Sequence, residues 1–217
     1  MIQGVIFDLD GLMFDTERIW DSLWEPVLTE LGLPYFEGIG DTVRGSTGDA
    51  MARTLRQLYG PDCDTAAIVA ALYRKAGEIF ARPVPKKPGL DALLAWLKEQ
   101  GIPAAVASSS AEQTVRTHLK NGGIEDCFAA VVAGDTVSRS KPAPDIFLKA
   151  AGLLGADPAH CLVLEDSHNG VRAGAAGGFV TVMVPDMMPV TDEMRQLSAC
   201  QCASLNEVLD KLRAGEF

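Results

Sequence analysis

The stretch V-I-F-D-L-D-G-L-M-F-D-T-E, residues 5 to 17, joins a short apolar run to a cluster of carboxylates. Residues 4 to 10 are apolar and β-rich and end at Gly11, which predicts a buried strand. Alternate residues of a strand point to the same side, so the side chains of Asp8 and Asp10 are expected to lie together. Like charges this close raise each other's pKa unless a cation relieves their repulsion. The end of this strand is therefore expected to need a cation.

Helical spacing of apolar residues replaces the strand pattern from residue 16 to about residue 80. It predicts helices at about 16–31, 47–59 and 64–80, with Thr16 as the N-cap of the first and Asp15 as a hydrogen-bond acceptor that anchors a hinge. The segment R-P-V-P-K-K-P-G, residues 82 to 89, is predicted to be an extended linker because it carries three prolines.

Short apolar strands alternate with helices in the rest of the chain. Strands are predicted at 104–107, 131–133, 161–164 and 180–184, and helices at about 90–97, 111–120, 142–154, 169–177 and 205–212. This alternation predicts right-handed crossovers and a parallel sheet covered on both faces. The predicted fold class is α/β: a doubly wound parallel sheet formed by residues 1–14 and 86–217, with residues 15–85 inserted as an α-helical cap.

Composition and charge narrow the possible partners. The formal net charge of −10 over 217 residues argues against nonspecific binding to nucleic acid or to an anionic membrane. No apolar run has the length of a membrane span, and no basic segment precedes an apolar one as in a signal peptide, so we expect a cytoplasmic protein. We also expect a monomer. The five cysteines are irregularly spaced and are expected to be reduced thiols.

Polar residues follow the predicted strands at the points where they end. Asp8 and Asp10 end the first strand, Ser108 the second, and Glu165 and Asp166 a later one, while Lys141 lies between them in the chain. Ligands bind beyond the carboxyl ends of strands in an open α/β sheet, so these side chains are expected to meet there. Carboxylate oxygens favour Mg²⁺, and a metal, a lysine, a hydroxyl and turn amides together would receive a tetrahedral oxyanion.

Four segments in this order resemble the motifs of the haloacid dehalogenase superfamily. They are D-L-D-G at 8–11, the strand-ending Ser108, S-K-P-A-P-D-I-F at 140–147 and L-E-D-S-H-N-G at 164–170. The helical insert resembles the cap of the β-phosphoglucomutase-like phosphatases. The resemblance implies a Mg²⁺-dependent phosphatase that acts on a small phosphorylated metabolite, with a cap that closes over the substrate.

The resemblance also implies a role for each matching residue. Asp8 is expected to be the nucleophile that forms an aspartyl-phosphate, and Asp10 the general acid and then the general base. Gly11 is expected to allow the backbone to approach the phosphate closely. Ser108 and Lys141 are expected to hold the phosphoryl oxygens, with Ser109 as a second phosphate contact.

The expected metal ligands are Asp8, Asp166 and the backbone carbonyl of Asp10. Glu165 is expected either to bind the metal through water or to orient Lys141. A glycine-rich segment of the cap, T-V-R-G-S-T-G-D at residues 42 to 49, is expected to face the site, and its Arg44 is the candidate for contact with the leaving group.

Other reactions remain open at this point. Phosphoglucomutases with this cap carry a histidine and two basic residues at positions that, counted relative to the motifs, are Trp20, Gly48 and Ala111 in this chain, so hydrolysis is preferred to a mutase reaction. Dehalogenation is disfavoured because Asp10 would have no role in it. A phosphorylated receiver domain would be shorter and would lack the insert, and a non-catalytic binding module is disfavoured because no catalytic position is lost. The resemblance favours a sugar phosphate or a sugar-acid phosphate as substrate.

Overall fold

The computed structural model describes residues 2–44, 46 and 48–217 and separates the chain into two compact units. We call residues Met1–Asp15 and Pro83–Phe217 the sheet unit, and Thr16–Arg82 the helical unit. The divisions fall after residues 15 and 82, whereas the sequence placed them after residues 14 and 85.

The sheet unit contains a parallel sheet of six strands among the residues that the structure describes. The strands are β1 (Gly4–Phe7), β2 (Ala104–Ser108), β3 (Ala130–Ala133), β4 (Cys161–Glu165), β5 (Val180–Met183) and β6 (Cys200–Gln201). Their order across the sheet is β3-β2-β1-β4-β5-β6, which makes β1 a central strand with β2 and β4 as its neighbours. The predicted α/β fold with a parallel sheet is confirmed.

The helical unit consists of helices and connecting turns in its described part. The helices are α1 (Glu17–Glu30), α2 (Ile39–Val43), α3 (Gly48–Tyr59) and α4 (Thr65–Phe80). Helix α1 packs against α4, and the indole of Trp20 contacts the rings of Tyr73 and Phe80 at centroid distances of 5.3 and 5.5 Å. Gly45 and Thr47, which belong to the predicted glycine-rich segment of the cap, lie outside the described residues.

Helices cover the sheet within its own unit. They are α5 (Leu90–Gln100), α6 (Glu112–Asn121), α7 (Asp145–Leu154), α8 (His168–Ala176), α9 (Asp192–Leu197) and α10 (Leu205–Ala214). Helix α7 packs against β1, β2 and β3, and the buried core between them includes Ile6, Ala105 and Phe147. No helix in the described part of the chain is both long and apolar enough to cross a membrane.

The observed elements correct the sequence predictions in several places. Strand β1 ends at Phe7 rather than Asp10, because the chain turns at Gly11 (φ 80°) and Asp10 pairs with Phe14 in an isolated bridge. Helix α7 begins at Asp145 rather than Pro142. Thr16 occupies the N-cap position of α1 with φ −83° and ψ −31°, which are helical angles and not the extended ones of a capping threonine.

Candidate active site

Lys141 lies at the centre of the polar cluster at the carboxyl ends of the strands. Its ammonium group donates hydrogen bonds to Asp8 Oδ1 at 2.5 Å, to Glu165 Oε1 at 2.6 Å and to the backbone oxygen of Ala107 at 3.0 Å. Its side chain is 5% exposed, and the Nζ atom lies 4.7 Å from the centre of the Phe147 ring. The lysine therefore links the ends of β1, β2 and β4 from the segment that precedes α7.

Burial and charge act against each other at Asp8. Burial raises the pKa of the Asp8 carboxyl well above its usual range, Lys141 opposes the rise, and the charges of Glu165 and Asp10 add to it. Burial alone would lower the pKa of Lys141, but the carboxylates of Asp8 and Glu165 outweigh it and hold that pKa above the usual value. The lysine is therefore charged at neutral pH. Another cation beside Asp8 would favour the ionised form of the Asp8 carboxyl.

Three carboxylates form a group that could hold a metal ion. Asp8, Glu165 and Asp166 are all buried, and each offers an oxygen within 4.8 Å of the oxygens offered by the other two. Strand pairing places them together, because β1 and β4 are neighbours and both end at this edge of the sheet. Buried carboxylates without compensating charge are costly, so the group favours a hard cation with oxygen ligands.

Glu165 is held by its surroundings in a single position. Its Oε1 accepts the bond from Lys141, and its Oε2 accepts bonds from the backbone N–H of Ser167 at 3.1 Å and from the Ser167 hydroxyl at 2.9 Å. Its side chain is fully buried, and a methyl group at Gly170 would overlap with its carboxyl group. Of the two expected roles for Glu165, these bonds favour the orientation of Lys141.

The loop after β2 brings hydroxyl groups to Asp10. Ser108 is buried, and its Oγ lies 3.4 Å from Asp10 Oδ2, while the Oγ of Ser110 donates to the same oxygen at 2.8 Å. Ser109, the other predicted phosphate contact, is exposed in this loop. The contact of Ser110 with Asp10 was not predicted from the sequence.

Arg44 belongs to the helical unit, where carboxylates of that unit surround it. Its guanidinium contacts Glu17 at 3.1 Å, Asp21 at 2.7 Å and Asp41 at 2.8 Å. Although burial acts in the opposite direction, these partners raise the pKa of Arg44. Its contact with a leaving group stays a prediction, and these three carboxylates of its own unit are partners that such a contact would have to compete with.

A family model described as haloacid dehalogenase-like hydrolase matches residues 5–184. The chain belongs to this family. The match includes Asp8, Ser108, Lys141 and Asp166, so the family predicted from the four motifs is confirmed.

Several relatives of known name align with most of the chain. A probable pseudouridine-5'-phosphatase of Drosophila melanogaster is 36% identical and aligns over 83% of this chain and 80% of its own length. Hexitol phosphatase B of Escherichia coli strain K12 is 31% identical, over 97% of this chain and 96% of its own. A β-phosphoglucomutase of Bacillus subtilis is 28% identical over 99% of both chains. The relatives named as phosphatases bear out the prediction of a phosphoric monoester hydrolase.

Solved structures show the same fold. The structure of CbbY from Rhodobacter sphaeroides in complex with phosphate matches 96% of this chain and 96% of its own, with 28% identity and a TM-score of 0.82. At this coverage the likeness includes residues of both units of the chain.

Proposed function

We propose that this chain is a Mg²⁺-dependent phosphatase that hydrolyses a small phosphomonoester, a sugar phosphate or a related compound, through an aspartyl-phosphate. One observation carries the proposal: the buried carboxylate of Asp8 lies beside Lys141 and within a group of three carboxylates, at the end of the central strand. This arrangement supplies a nucleophile, a fixed positive charge and ligands for a hard cation in one place.

In the first step an oxygen of Asp8 attacks phosphorus and the bond from phosphorus to the leaving oxygen breaks. Asp10 gives its proton to that oxygen, so the product leaves as an alcohol. In the second step Asp10 takes a proton from a water molecule whose oxygen attacks the same phosphorus. The bond from phosphorus to Asp8 then breaks, inorganic phosphate leaves, and both carboxyl groups return to their starting states.

Lys141 and Ser108 hold the phosphoryl group during both steps. The ammonium group is fixed by Glu165 and by the Ala107 carbonyl, so it needs no reorganisation when negative charge develops on the phosphoryl oxygens. Gly11 turns the chain directly after Asp10 with φ 80°, a conformation that favours glycine, and its small size leaves room for the phosphate beside the backbone.

The donor set fits Mg²⁺. Asp8 and Asp166 offer buried carboxylate oxygens, and the three-carboxylate group lacks any sulfur or nitrogen ligand that would favour a softer metal. Asp8, Asp166 and the Asp10 backbone carbonyl would hold the ion, with Glu165 turned mainly toward Lys141. When bound, Mg²⁺ would offset the carboxylate charges and draw negative charge from the phosphoryl oxygens.

The names of the relatives support the substrate class. Hexitol phosphatase B of E. coli and fructose-1-phosphate phosphatase YqaB of the same organism are named for sugar phosphates or related compounds. The β-phosphoglucomutase of B. subtilis supports a mutase as the second candidate. The hydrolase is favoured by Trp20, Gly48 and Ala111, which by position relative to the motifs stand where mutases carry the residues that hold a second phosphate.

A screen of phosphorylated metabolites for release of inorganic phosphate tests the proposal. We expect hydrolysis of p-nitrophenyl phosphate and of at least one sugar phosphate with Mg²⁺, loss of activity with EDTA, and recovery when Mg²⁺ is added back. Asp8→Asn is expected to be inactive, and robust activity of that variant would overturn the nucleophile assignment. Conversion of β-glucose 1-phosphate to glucose 6-phosphate in the presence of a bisphosphate primer would favour the mutase instead.

A further inference from the structure

The carboxyl group of Asp10 is held on one of its two oxygens by the serines of the loop after β2. Ser110 Oγ donates to Asp10 Oδ2 at 2.8 Å, a normal hydrogen-bond length, whereas Ser108 Oγ lies 3.4 Å from the same atom. The backbone N–H of Ser110 donates in turn to Ser108 Oγ at 3.1 Å. Ser110 therefore makes the shorter bond to Asp10 and also contacts the hydroxyl group that is expected to bind phosphate.

We propose that Ser110 is a positioning residue that fixes the orientation of Asp10 for proton transfer to the leaving group. The inference rests on the proposed phosphatase function. Because the Ser110 hydroxyl donates to Oδ2, that oxygen acts as the acceptor and the acidic proton of Asp10 is carried on Oδ1. Ser108 can then turn its own hydroxyl proton to a phosphoryl oxygen while Asp10 stays in place.

The hydroxyl of Ser110 is not used to cap the following helix. Helix α6 has Ala111 at its N-cap position, and the backbone N–H of Glu112 donates to both carboxylate oxygens of Asp135, at 3.2 and 3.3 Å. Asp135 thus performs the task that a serine at the start of a helix would ordinarily take. Among the residues that the structure describes, Asp10 is the hydrogen-bond partner of Ser110 Oγ.

The end of β3 fixes the loop that carries Ser110. The backbone N–H of Gly134 donates to the Ser110 carbonyl oxygen at 3.0 Å, and a methyl group at Gly134 would overlap with the Ser109 carbonyl. The backbone segments around Ser109 and residue 134 can approach this closely because residue 134 is a glycine. Rigid support of this kind is what a positioning side chain needs.

The inference is tested with two substrates that differ in whether the leaving oxygen must be protonated as it departs. Phenyl phosphate requires protonation of its leaving oxygen, whereas 2,4-dinitrophenol leaves as an anion at neutral pH. The measured quantity is kcat/KM, which reports the steps up to release of the leaving group. For Ser110→Ala with Mg²⁺ we expect a loss of about 10-fold on phenyl phosphate and of less than about 2-fold on 2,4-dinitrophenyl phosphate.

Two further variants complete the experiment. Ser110→Thr keeps the hydroxyl and is expected to recover most of the activity on phenyl phosphate. Ser22→Ala, which removes a hydroxyl bonded to the Ile19 carbonyl of its own helix, is expected to leave both substrates unchanged. Thermal unfolding of each variant establishes that the protein remains folded.

The outcomes separate the inference from the proposed function. Equal losses on the two substrates, or no loss on either, would overturn the role of Ser110 while the wild-type activity upheld the phosphatase. If the wild-type protein with Mg²⁺ hydrolysed neither aryl phosphate nor any metabolite of the screen, the phosphatase proposal and the role of Ser110 would both fail.

Discussion

Two cations of this chain are each surrounded by carboxylates, one in the sheet unit and one in the helical unit. The side chains of Lys141 and Arg44 are 5% and 8% exposed, and their shortest contacts with carboxylates are 2.5 and 2.7 Å. The exposed fractions of their carboxylate partners differ more than those of the two cations. The carboxylates around Lys141 are 10% and 0% exposed, whereas those around Arg44 are between 22% and 75% exposed.

This difference is the one expected between the proposed reactive cluster and a stabilising one. The partners of Arg44 can keep much of their hydration, so their contacts resemble ion pairs near a surface. The partners of Lys141 are withdrawn from water, and the pKa of Asp8 is raised in spite of the neighbouring ammonium group. A buried acid with a strongly raised pKa beside a fixed cation marks a candidate functional site. A further cation beside Asp8 would favour the ionised carboxylate that a nucleophile and a metal ligand require.

The largest effect is expected from removal of the charge of Lys141. In Lys141→Met, Asp8 and Glu165 lose a shared partner, and phosphatase activity should fall by about 10²–10³-fold or more. The free energy of unfolding in EDTA should fall by about 3 kcal/mol, the low end for a broken buried pair, because a proton on Asp8 can replace part of the lost charge. Initial rates and denaturant unfolding measure the two effects. A stable and active variant would remove the contrast with Arg44.

The next largest effect is expected from glycine substitutions that displace one carboxylate of each cluster without removing any charge. In Gly170→Ala the new methyl group overlaps with the fully buried Glu165, which cannot move into water. We expect a loss of about 2 kcal/mol in the free energy of unfolding and of about 10-fold in kcat, because Lys141 loses its orientation.

Gly40→Ala is the matched control in the helical unit. Its methyl group overlaps with the Asp21 carboxylate, whose side chain is 31% exposed and can shift outward. The free energy of unfolding should change by less than about 1 kcal/mol. Similar losses in the two glycine variants would show that burial of the carboxylate does not distinguish the clusters.

A smaller effect is expected from Arg44 itself. In Arg44→Met the free energy of unfolding should fall by about 1–2 kcal/mol, between the values for exposed and buried ion pairs, and the loss should shrink in high salt. Thermal unfolding at two salt concentrations measures it. A rise of KM of more than about 10-fold without any loss of stability would instead support the predicted contact between Arg44 and the leaving group.

Much of the fold and of the candidate site could be predicted because local patterns determine them. The apolar residues of β1 and β4 are followed at once by Asp8 and by Asp166, so the strand ends and the acidic group were visible together. The end of β1 was placed too late, because an apolar Leu9 continues the pattern although Gly11 turns the chain. Strand β6 was missed, since a pair of residues at the edge of a sheet has no periodicity.

The contacts that were not predicted depend on residues far apart in the chain. Which of three adjacent serines makes the shortest bond to Asp10 is decided by the loop conformation, which the end of β3 fixes through Gly134. The partners of Arg44 left a weak signal, because Glu17 and Asp21 are four residues apart and share one face of α1. That spacing indicates an acidic face, but it does not name the cation.

The smallest effect concerns a buried histidine of the sheet unit. Burial outweighs the neighbouring charge in setting the pKa of this histidine, whereas the neighbouring charges outweigh burial at Arg44. The His118 ring packs against Phe14, and burial lowers its pKa although Asp10 acts in the opposite direction. A lowered pKa in the folded protein means that stability is complete above the unfolded pKa of about 6.5 and is lost as the pH falls below it. The free energy of unfolding of His118→Phe should therefore fall less than that of wild type when the pH is lowered from 7 to 5.5. The two slopes should differ by at most about 1.4 kcal/mol per pH unit.

His160→Gln, which removes a half-exposed ring, should behave like wild type. If denaturant unfolding showed the same acid sensitivity in His118→Phe and wild type, burial of this histidine would not oppose its protonation.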